Sequence, residues 1–119
     1  MNEIKNFPIH IQNRTFNAQV LMKAGVEMVA VSPICEAIGV EEYRQIQKLQ
    51  SNPQFSCLHM SATGSDGKSY QMACLPLEEV AMWLCNISAN RVKPEVREIL
   101  IGFQRHCQME LHVLVPQLI

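Results

Sequence analysis

The spacing of apolar residues alternates between strand-like and helical along the chain, and this order predicts the fold class. Three runs rich in β-branched or aromatic residues come first, at residues 7–11, 15–22 and 26–31. The last two runs flank Lys23, Ala24 and Gly25, which predict a tight hairpin with Gly25 at positive φ. The first third of the chain is therefore predicted to form a small β-sheet.

Two short helices are predicted after these strands. Ser32 can cap the first helix with Pro33 at its first position, and Gly39 suits the left-handed residue that ends it. A second helix follows at once and is stopped by Asn52 and Pro53. Its predicted buried side consists of Tyr43, Ile46 and Leu49.

A β-hairpin and two longer helices complete the pattern. Residues 55–60 and 68–75 alternate like paired strands around a turn at residues 64–67. The next helix has Trp83 at the edge of an apolar stripe, and we expect Trp83 to pack between the last two helices. The stripe consists of Leu77, Val80, Ala81, Leu84 and Ile87. Pro94 opens the longest helix, whose apolar row runs through Val96, Ile99, Leu100, Phe103, Cys107, Leu111 and Leu114 to the stop at Pro116. The sequence thus predicts an α+β fold with a small N-terminal sheet, two short helices, a β-hairpin and two longer C-terminal helices.

Length and composition predict one packed domain spanning residues 1–119. Apolar residues make up 48% and charged residues 18% of the chain, which is ordinary for a globular protein. No apolar run approaches the roughly 18 residues of a membrane span, and the N-terminus lacks a signal-peptide pattern. The five cysteines are odd in number and include no C-x-x-C pair, which is typical of buried thiols in a reducing compartment. A cytoplasmic location is therefore expected.

Residues that could carry chemistry form no recognisable catalytic arrangement. No G-x-S-x-G, H-E-x-x-H or glycine-rich phosphate loop is present, so we expect neither an enzyme nor a cofactor. Cys57, His59 and Cys74 could gather around a metal from facing strands. Their spacing is not that of a known zinc module, so ordinary core thiols are the preferred interpretation.

The two short helices resemble a helix-turn-helix at coarse resolution. The outer face of the second would carry long amide and cationic side chains of the kind that read bases in a DNA groove: Arg44, Gln45, Gln47 and Lys48. Any solvated helix face looks similar, and the net charge of −1 lacks the basic excess of a dedicated nucleic-acid binder.

Three cations cluster around the start of the last helix, where the helix dipole disfavours positive charge. They are Arg91, Lys93 and Arg97. Capture of carboxylates or phosphates would explain this placement. Local pairing with Glu95, Glu98 or the acidic pair at 78–79 explains it equally well, so both interpretations stay open.

The C-terminal segment carries more apolar surface than one small domain is expected to cover. Its candidate interface residues are Met109, Leu111, Val113, Leu114, Val115, Leu118 and Ile119. Such a patch predicts a homo-oligomer, most simply a two-fold dimer. The alternative is a monomer whose tail folds back over the N-terminal sheet.

Residues 74–107, CLPLEEVAMWLCNISANRVKPEVREILIGFQRHC, resemble the signature of the N-terminal domain of temperate-phage antirepressors. The shared features are C-x-P-L, W-L, I-x-x-x-R-V-K-P-E-x-R-E and F-Q-x-x-C, and upstream V-x-V-S-P-I-C-E-A-I-G and K-L-x-S-N-P-x-F agree more loosely. The family is related to the Bro-N domain of viral regulators.

This resemblance implies a phage or prophage protein that binds the phage repressor, frees the operators and promotes lytic growth in the bacterial host. It supplies no catalytic residues. Larger antirepressors carry a further C-terminal domain, so the expectation is either a small stand-alone antirepressor or a protein with part of the activity. A Bro-N-like DNA-binding regulator that uses residues 44–48 is the alternative.

Overall fold

A single six-stranded sheet organises the structure, a computed structural model that describes residues 2–11 and 14–105. The strands are β1 (Asn2–Glu3), β2 (Lys5–Ile11), β3 (Arg14–Lys23), β4 (Val26–Ala30), β5 (Leu58–Thr63) and β6 (Ser69–Pro76). Their order across the sheet is β1-β5-β6-β4-β3-β2. Neighbouring strands are antiparallel except β1, which pairs parallel to β5. Together with the helices, this sheet confirms the α+β class.

The turn between β3 and β4 confirms the predicted hairpin. Gly25 has φ +81°, and Ala24 also has a positive φ of +50°. Two successive positive φ values are typical of the type I′ turn, whose twist matches that of the strands it joins. Lys23 and Val26 are the pair that closes the hairpin.

The second hairpin is part of the same sheet rather than a separate unit, because β6 pairs with β4 through Val29 and Leu75. Its first strand also begins at Leu58, three residues later than predicted. The reason is that Phe55 and Cys57 pack against the helical core instead of joining the strand ladder.

Four helices are described: α1 (Val31–Ile38), α2 (Glu42–Ser51), α3 (Leu77–Cys85) and α4 (residues 94–105). The prediction that Ser32 caps α1 is wrong. The helix begins directly at the end of β4, so Ser32 lies in its first turn and donates a hydrogen bond of 2.9 Å to Glu42 Oε2. Gly39 ends α1 in the left-handed conformation, as predicted, with φ +82°.

The main core lies between the sheet and the helices. It consists of Val31, Cys35, Ile38, Leu49, Leu75, Trp83, Ile87, Val92, Val96 and Leu100. A second cluster contains Leu21, Met28, Ala30, Met60, Ala62 and Cys74. Leu75 and Cys74 belong to different clusters because successive strand residues point to opposite faces of a sheet. No helix in the described ranges is both long and apolar enough to cross a bilayer.

Two buried thiols predict a loss of stability at alkaline pH. Burial, reinforced by the Glu42 carboxylate, raises the pKa of Cys35 from 9.0 to about 12. Burial, with Cys57 as a smaller cause, raises the pKa of Cys74 to about 11. Each thiol stays protonated in the folded protein but ionises near pH 9 once the chain unfolds. The stabilisation is therefore complete below pH 9 and is lost as pH rises towards the folded pKa values.

Urea unfolding at pH 8 and pH 10.5 measures this effect. Each thiol is expected to reduce the free energy of unfolding by an amount on the order of 2 kcal/mol at the higher pH. Cys35→Ala should remove its share of the pH-dependent loss, whatever its own effect at pH 8. An unchanged difference between the two pH values in Cys35→Ala would contradict the prediction.

Candidate functional site: a pocket lined by two arginines

The loop between α3 and α4 docks against the end of α1. Val92 is buried in the main core, so its neighbours Arg91 and Lys93 are directed outwards and are exposed. The backbone N–H of Lys93 donates a hydrogen bond of 2.9 Å to the carbonyl of Ile38. The aliphatic part of the Lys93 side chain lies over Gly39, where a Cβ would overlap Lys93 Cγ. The loop therefore sits beside the turn that leads into α2.

This docking creates a pocket of about 180 Å³, which we call the arginine pocket. It is lined by Gly39, Val40, Glu41, Arg44, Gln45 and Arg91. The pocket brings together Arg91, from the predicted cation cluster, and Arg44 and Gln45, from the predicted DNA-reading face of α2. These residues are almost fifty positions apart in sequence, so only the fold brings them together.

Gln45 forms one wall of the pocket and is fixed by the core. It is buried, and its Oε1 accepts a hydrogen bond of 3.1 Å from Trp83 Nε1. An indole N–H can only donate, so this contact turns the amide oxygen towards Trp83 and directs the amino group away from it. Gln45 therefore contributes a fixed amide side chain to the wall of the pocket, beside the two arginines.

The charges around the pocket are only partly neutralised. Arg44 Nε forms an ion pair of 3.1 Å with Glu41, and both side chains are well exposed, so the pair contributes little stability. Arg91 and Lys93 form no ion pair within the described part of the chain. Within the described residues, the structure therefore does not support the interpretation that Arg91 and Lys93 pair with nearby carboxylates.

Arg97 differs from the other two cations of its cluster. Its side chain is half-buried, and Nε donates a hydrogen bond of 3.0 Å to the backbone carbonyl of Ala89. Arg97 thus holds the α3–α4 loop from within the domain. Contact of Arg97 with a partner stays a prediction, made for a side chain that the structure shows to be half-buried.

The predicted orientation of α2 needs correction at two positions, one on its predicted DNA-reading face and one on its predicted buried side. Gln45 is buried rather than on the outer face, because α2 turns Gln45 and Leu49 towards the core. Tyr43, predicted to be buried, is 66% exposed and accepts a hydrogen bond of 3.0 Å from Gln47. Arg44, Gln47 and Lys48 do lie on the exposed surface of the helix.

The remaining predicted sites are the metal-site candidates and the oligomer residues. Within residues 2–11 and 14–105, no three histidine, cysteine or acidic side chains are grouped to hold a metal ion. Of the metal-site candidates, Cys74 is buried and His59 Nδ1 lies 3.1 Å from the Gln50 side-chain nitrogen. The predicted oligomer residues Met109, Leu111, Val113, Leu114, Val115, Leu118 and Ile119 all lie outside the described residues.

A second concave surface, the apolar groove, was not predicted. It has a volume of about 320 Å³ and lies where α1, α3, α4 and β3 meet. Its lining is Ile34, Ala37 and Ile38 of α1, Leu77, Val80, Ala81 and Leu84 of α3, Val96, Ile99, Leu100 and Phe103 of α4, and Asn17 and Ala18 of β3.

The groove corrects the prediction for the apolar stripe of α3. The helix is rotated so that Trp83 and Ile87 fill the core, and Trp83 is only 3% exposed, as expected of a core residue. The rest of the stripe therefore lines the groove, and Leu77 is 50% exposed. The spacing of apolar residues in the sequence predicted that α3 has an apolar face, but it did not predict which part of that face packs into the core.

Comparison with known proteins identifies the family. The sequence matches the family model of the P22_AR N-terminal domain over residues 8–115, which is nearly the whole chain. No curated protein and no solved structure matches it. The matched range contains the second half of β2, the strands from β3 onwards, all four helices and both concave surfaces. The chain therefore belongs to the P22_AR N-terminal domain family, the N-terminal domain family of phage antirepressors.

Proposed function

We propose that this chain is an antirepressor that binds a phage repressor protein, relieves repression and so promotes prophage induction and lytic growth. Membership of the phage antirepressor family supports this function. In this proposal the protein acts by binding alone, without a catalytic step. It either masks the DNA-binding face of the repressor or breaks the repressor oligomer.

The observation that carries the mode of binding is the arginine pocket. Arg91 and Arg44 offer guanidinium hydrogen-bond donors around a space of about 180 Å³, next to the fixed side chain of Gln45. Guanidinium groups match the planar geometry of a carboxylate, and such charge-assisted bonds are stronger than neutral ones. We therefore assign an aspartate or glutamate side chain of the repressor to this pocket. Lys93, exposed at its edge, adds attraction for an acidic surface.

Direct DNA binding is the alternative, and the structure weakens the case for it. A protein that binds a duplex needs several cations in a row along the phosphates. The exposed face of α2 offers Arg44 and Lys48, but Glu41 pairs with Arg44 and Gln45 is turned inwards. A single concave site suits one protruding carboxylate better than a continuous phosphate backbone.

A gel-shift experiment with purified components separates the two functions. The repressor of the prophage that encodes this chain is bound to its operator DNA, and the chain is then added at increasing concentration. Release of free operator, with no shift of operator by the chain alone, is the expected result. A shift by the chain alone that weakens steeply with salt would instead show a DNA-binding regulator. An undisturbed repressor–operator complex would contradict the antirepressor proposal.

Charge reversal tests the role of the pocket. Arg91→Glu should weaken binding of the repressor at least about tenfold, because it replaces attraction for a carboxylate with repulsion. Lys23→Glu is the matched control, since it makes the same change of net charge at the exposed end of β3. Isothermal titration calorimetry gives both affinities, and circular dichroism checks the fold. Equal affinities of Arg91→Glu and wild type would show that the arginine pocket is not the binding site.

A further inference from the structure

Glu41 places a carboxylate in the lining of a pocket to which a carboxylate ligand is assigned, and the stability of the fold does not explain its presence. Among the described residues that line the arginine pocket, Glu41 is the one with a negative charge. It lies at the N-cap position of α2, but its side chain makes no capping hydrogen bond there. A negative charge near a helix N-terminus is favourable, and Glu42 in the first turn already provides one. The ion pair of Glu41 with Arg44 is well exposed and contributes little.

An anion that enters the arginine pocket is affected by Glu41 in two ways. It competes with Glu41 for Arg44, whose Nε lies 3.1 Å from Glu41 Oε2. It is also repelled by the Glu41 charge, since a pocket of about 180 Å³ holds the two charges within about 4–7 Å of each other, where they still interact at a protein surface. Competition weakens the binding of every anion by the same factor. Repulsion grows with the charge of the anion, so it weakens the binding of a dianion by the square of the factor for a monoanion.

This charge dependence separates carboxylates from phosphates. An aspartate or glutamate side chain carries one charge, and its planar carboxylate matches the guanidinium groups of Arg44 and Arg91. A phosphate monoester carries close to two charges at neutral pH. Duplex DNA presents one charge about every 1.7 Å along its axis, so a DNA phosphate in the pocket would bring its neighbours near Glu41 as well. A fixed negative charge in the lining therefore disfavours both kinds of phosphate more than it disfavours a lone carboxylate.

We propose that Glu41 is the specificity-determining residue of the arginine pocket, which admits a single carboxylate and rejects phosphate groups, those of DNA included. This inference deepens the proposed function and rests on its assignment of a repressor carboxylate to the pocket. Arg44 and Arg91 supply an attraction that carboxylates and phosphates share. Glu41 supplies the difference between the two, because specificity is a difference of affinities.

Titration with two small anions tests this role without a repressor. Acetate and inorganic phosphate are added to the full chain at pH 8, where phosphate is mainly a dianion, at one fixed low ionic strength because salt screens exposed charges. The Nε–H signals of Arg44 and Arg91 in nitrogen-15 NMR spectra give the dissociation constants. In Glu41→Gln, acetate should bind about threefold more tightly and phosphate about tenfold more tightly, as the charge dependence requires. Glu27→Gln is the matched control, because it removes the same charge at an exposed position of β4 and should change neither affinity.

Binding of duplex DNA extends the test to a macromolecule. Fluorescence anisotropy of a labelled operator duplex at low salt should show about tenfold tighter binding by Glu41→Gln than by Glu27→Gln, which has the same net charge. Adding Arg91→Gln to Glu41→Gln should abolish this gain, which locates it in the arginine pocket. Circular dichroism checks that each variant keeps the fold of the wild type.

The outcomes distinguish failure of this inference from failure of the proposed function. Equal tightening of acetate and phosphate in Glu41→Gln would show that Glu41 only competes for Arg44. That result would overturn the inference and leave the carboxylate assignment in place, as would equal DNA affinities of Glu41→Gln and Glu27→Gln. If acetate moves the signal of neither arginine, even in Glu41→Gln, the inference and the carboxylate assignment both fail. Release of operator DNA from the repressor is measured separately and does not depend on any of these results.

Discussion

Replacing Trp83 with alanine is expected to destabilise the protein by about 3–5 kcal/mol, the range for removing a large aromatic side chain from a packed core. Trp83 is only 3% exposed and packs among core residues contributed by all four helices and the sheet. Its indole N–H also holds Gln45 in place. Truncation leaves a cavity and an amide oxygen without its donor, and both effects lower the free energy of unfolding.

Two further variants separate the effect of the lost indole N–H from the effect of the cavity on the free energy of unfolding. Trp83→Phe keeps an aromatic ring in the core but removes the indole N–H, so a cost of about 1–3 kcal/mol is expected for the unpaired Gln45 oxygen and the smaller ring. Met82→Ala, at a more exposed position of the same helix, should cost less than about 1 kcal/mol. Urea unfolding followed by circular dichroism measures all three. Wild-type stability of Trp83→Ala would mean that Trp83 is not a core residue.

Replacing Gly39 with alanine is expected to cost about 2–4 kcal/mol, because two penalties combine there. Gly39 has φ +82°, a conformation that costs an L-residue roughly 1–2 kcal/mol. The added methyl group would also overlap the Lys93 side chain. The Lys93 backbone is held by its N–H bond to the carbonyl of Ile38, so relief of the overlap requires the Lys93 side chain to leave its position over Gly39.

Gly25 provides a matched control for the backbone penalty alone. Its φ of +81° is almost the same, but an added Cβ there meets nothing within 4 Å. Gly25→Ala is thus expected to cost only the roughly 1–2 kcal/mol of left-handed strain. Adding Lys93→Ala to Gly39→Ala should recover the difference between the two glycine variants. If Gly39→Ala and Gly25→Ala unfold at the same urea concentration, the Lys93 contact carries no energy.

Local chemistry made much of the fold predictable. Gly25 and Gly39 adopt the left-handed conformations expected from the lack of a Cβ, and the β3 and β4 strands follow the predicted β-branched runs. The apolar face of α3 was also visible in its spacing. Turn residues and periodicity act over a few neighbouring positions, so a sequence displays them directly. Helix rotation is less predictable, as Tyr43 and Leu77 show, because it depends on which residues the rest of the domain can bury.

The family, the α+β class and most of the element order are therefore properties that the sequence determined by itself. The arginine pocket and the apolar groove were decided only by the tertiary structure. Arg91 and Arg44 line one pocket because buried Val92 anchors one loop and Gly39 turns another. Gln45 is oriented by Trp83 from 38 positions away in the sequence. These contacts depend on packing between distant segments, and no local pattern of residue types records which distant segment will be the neighbour.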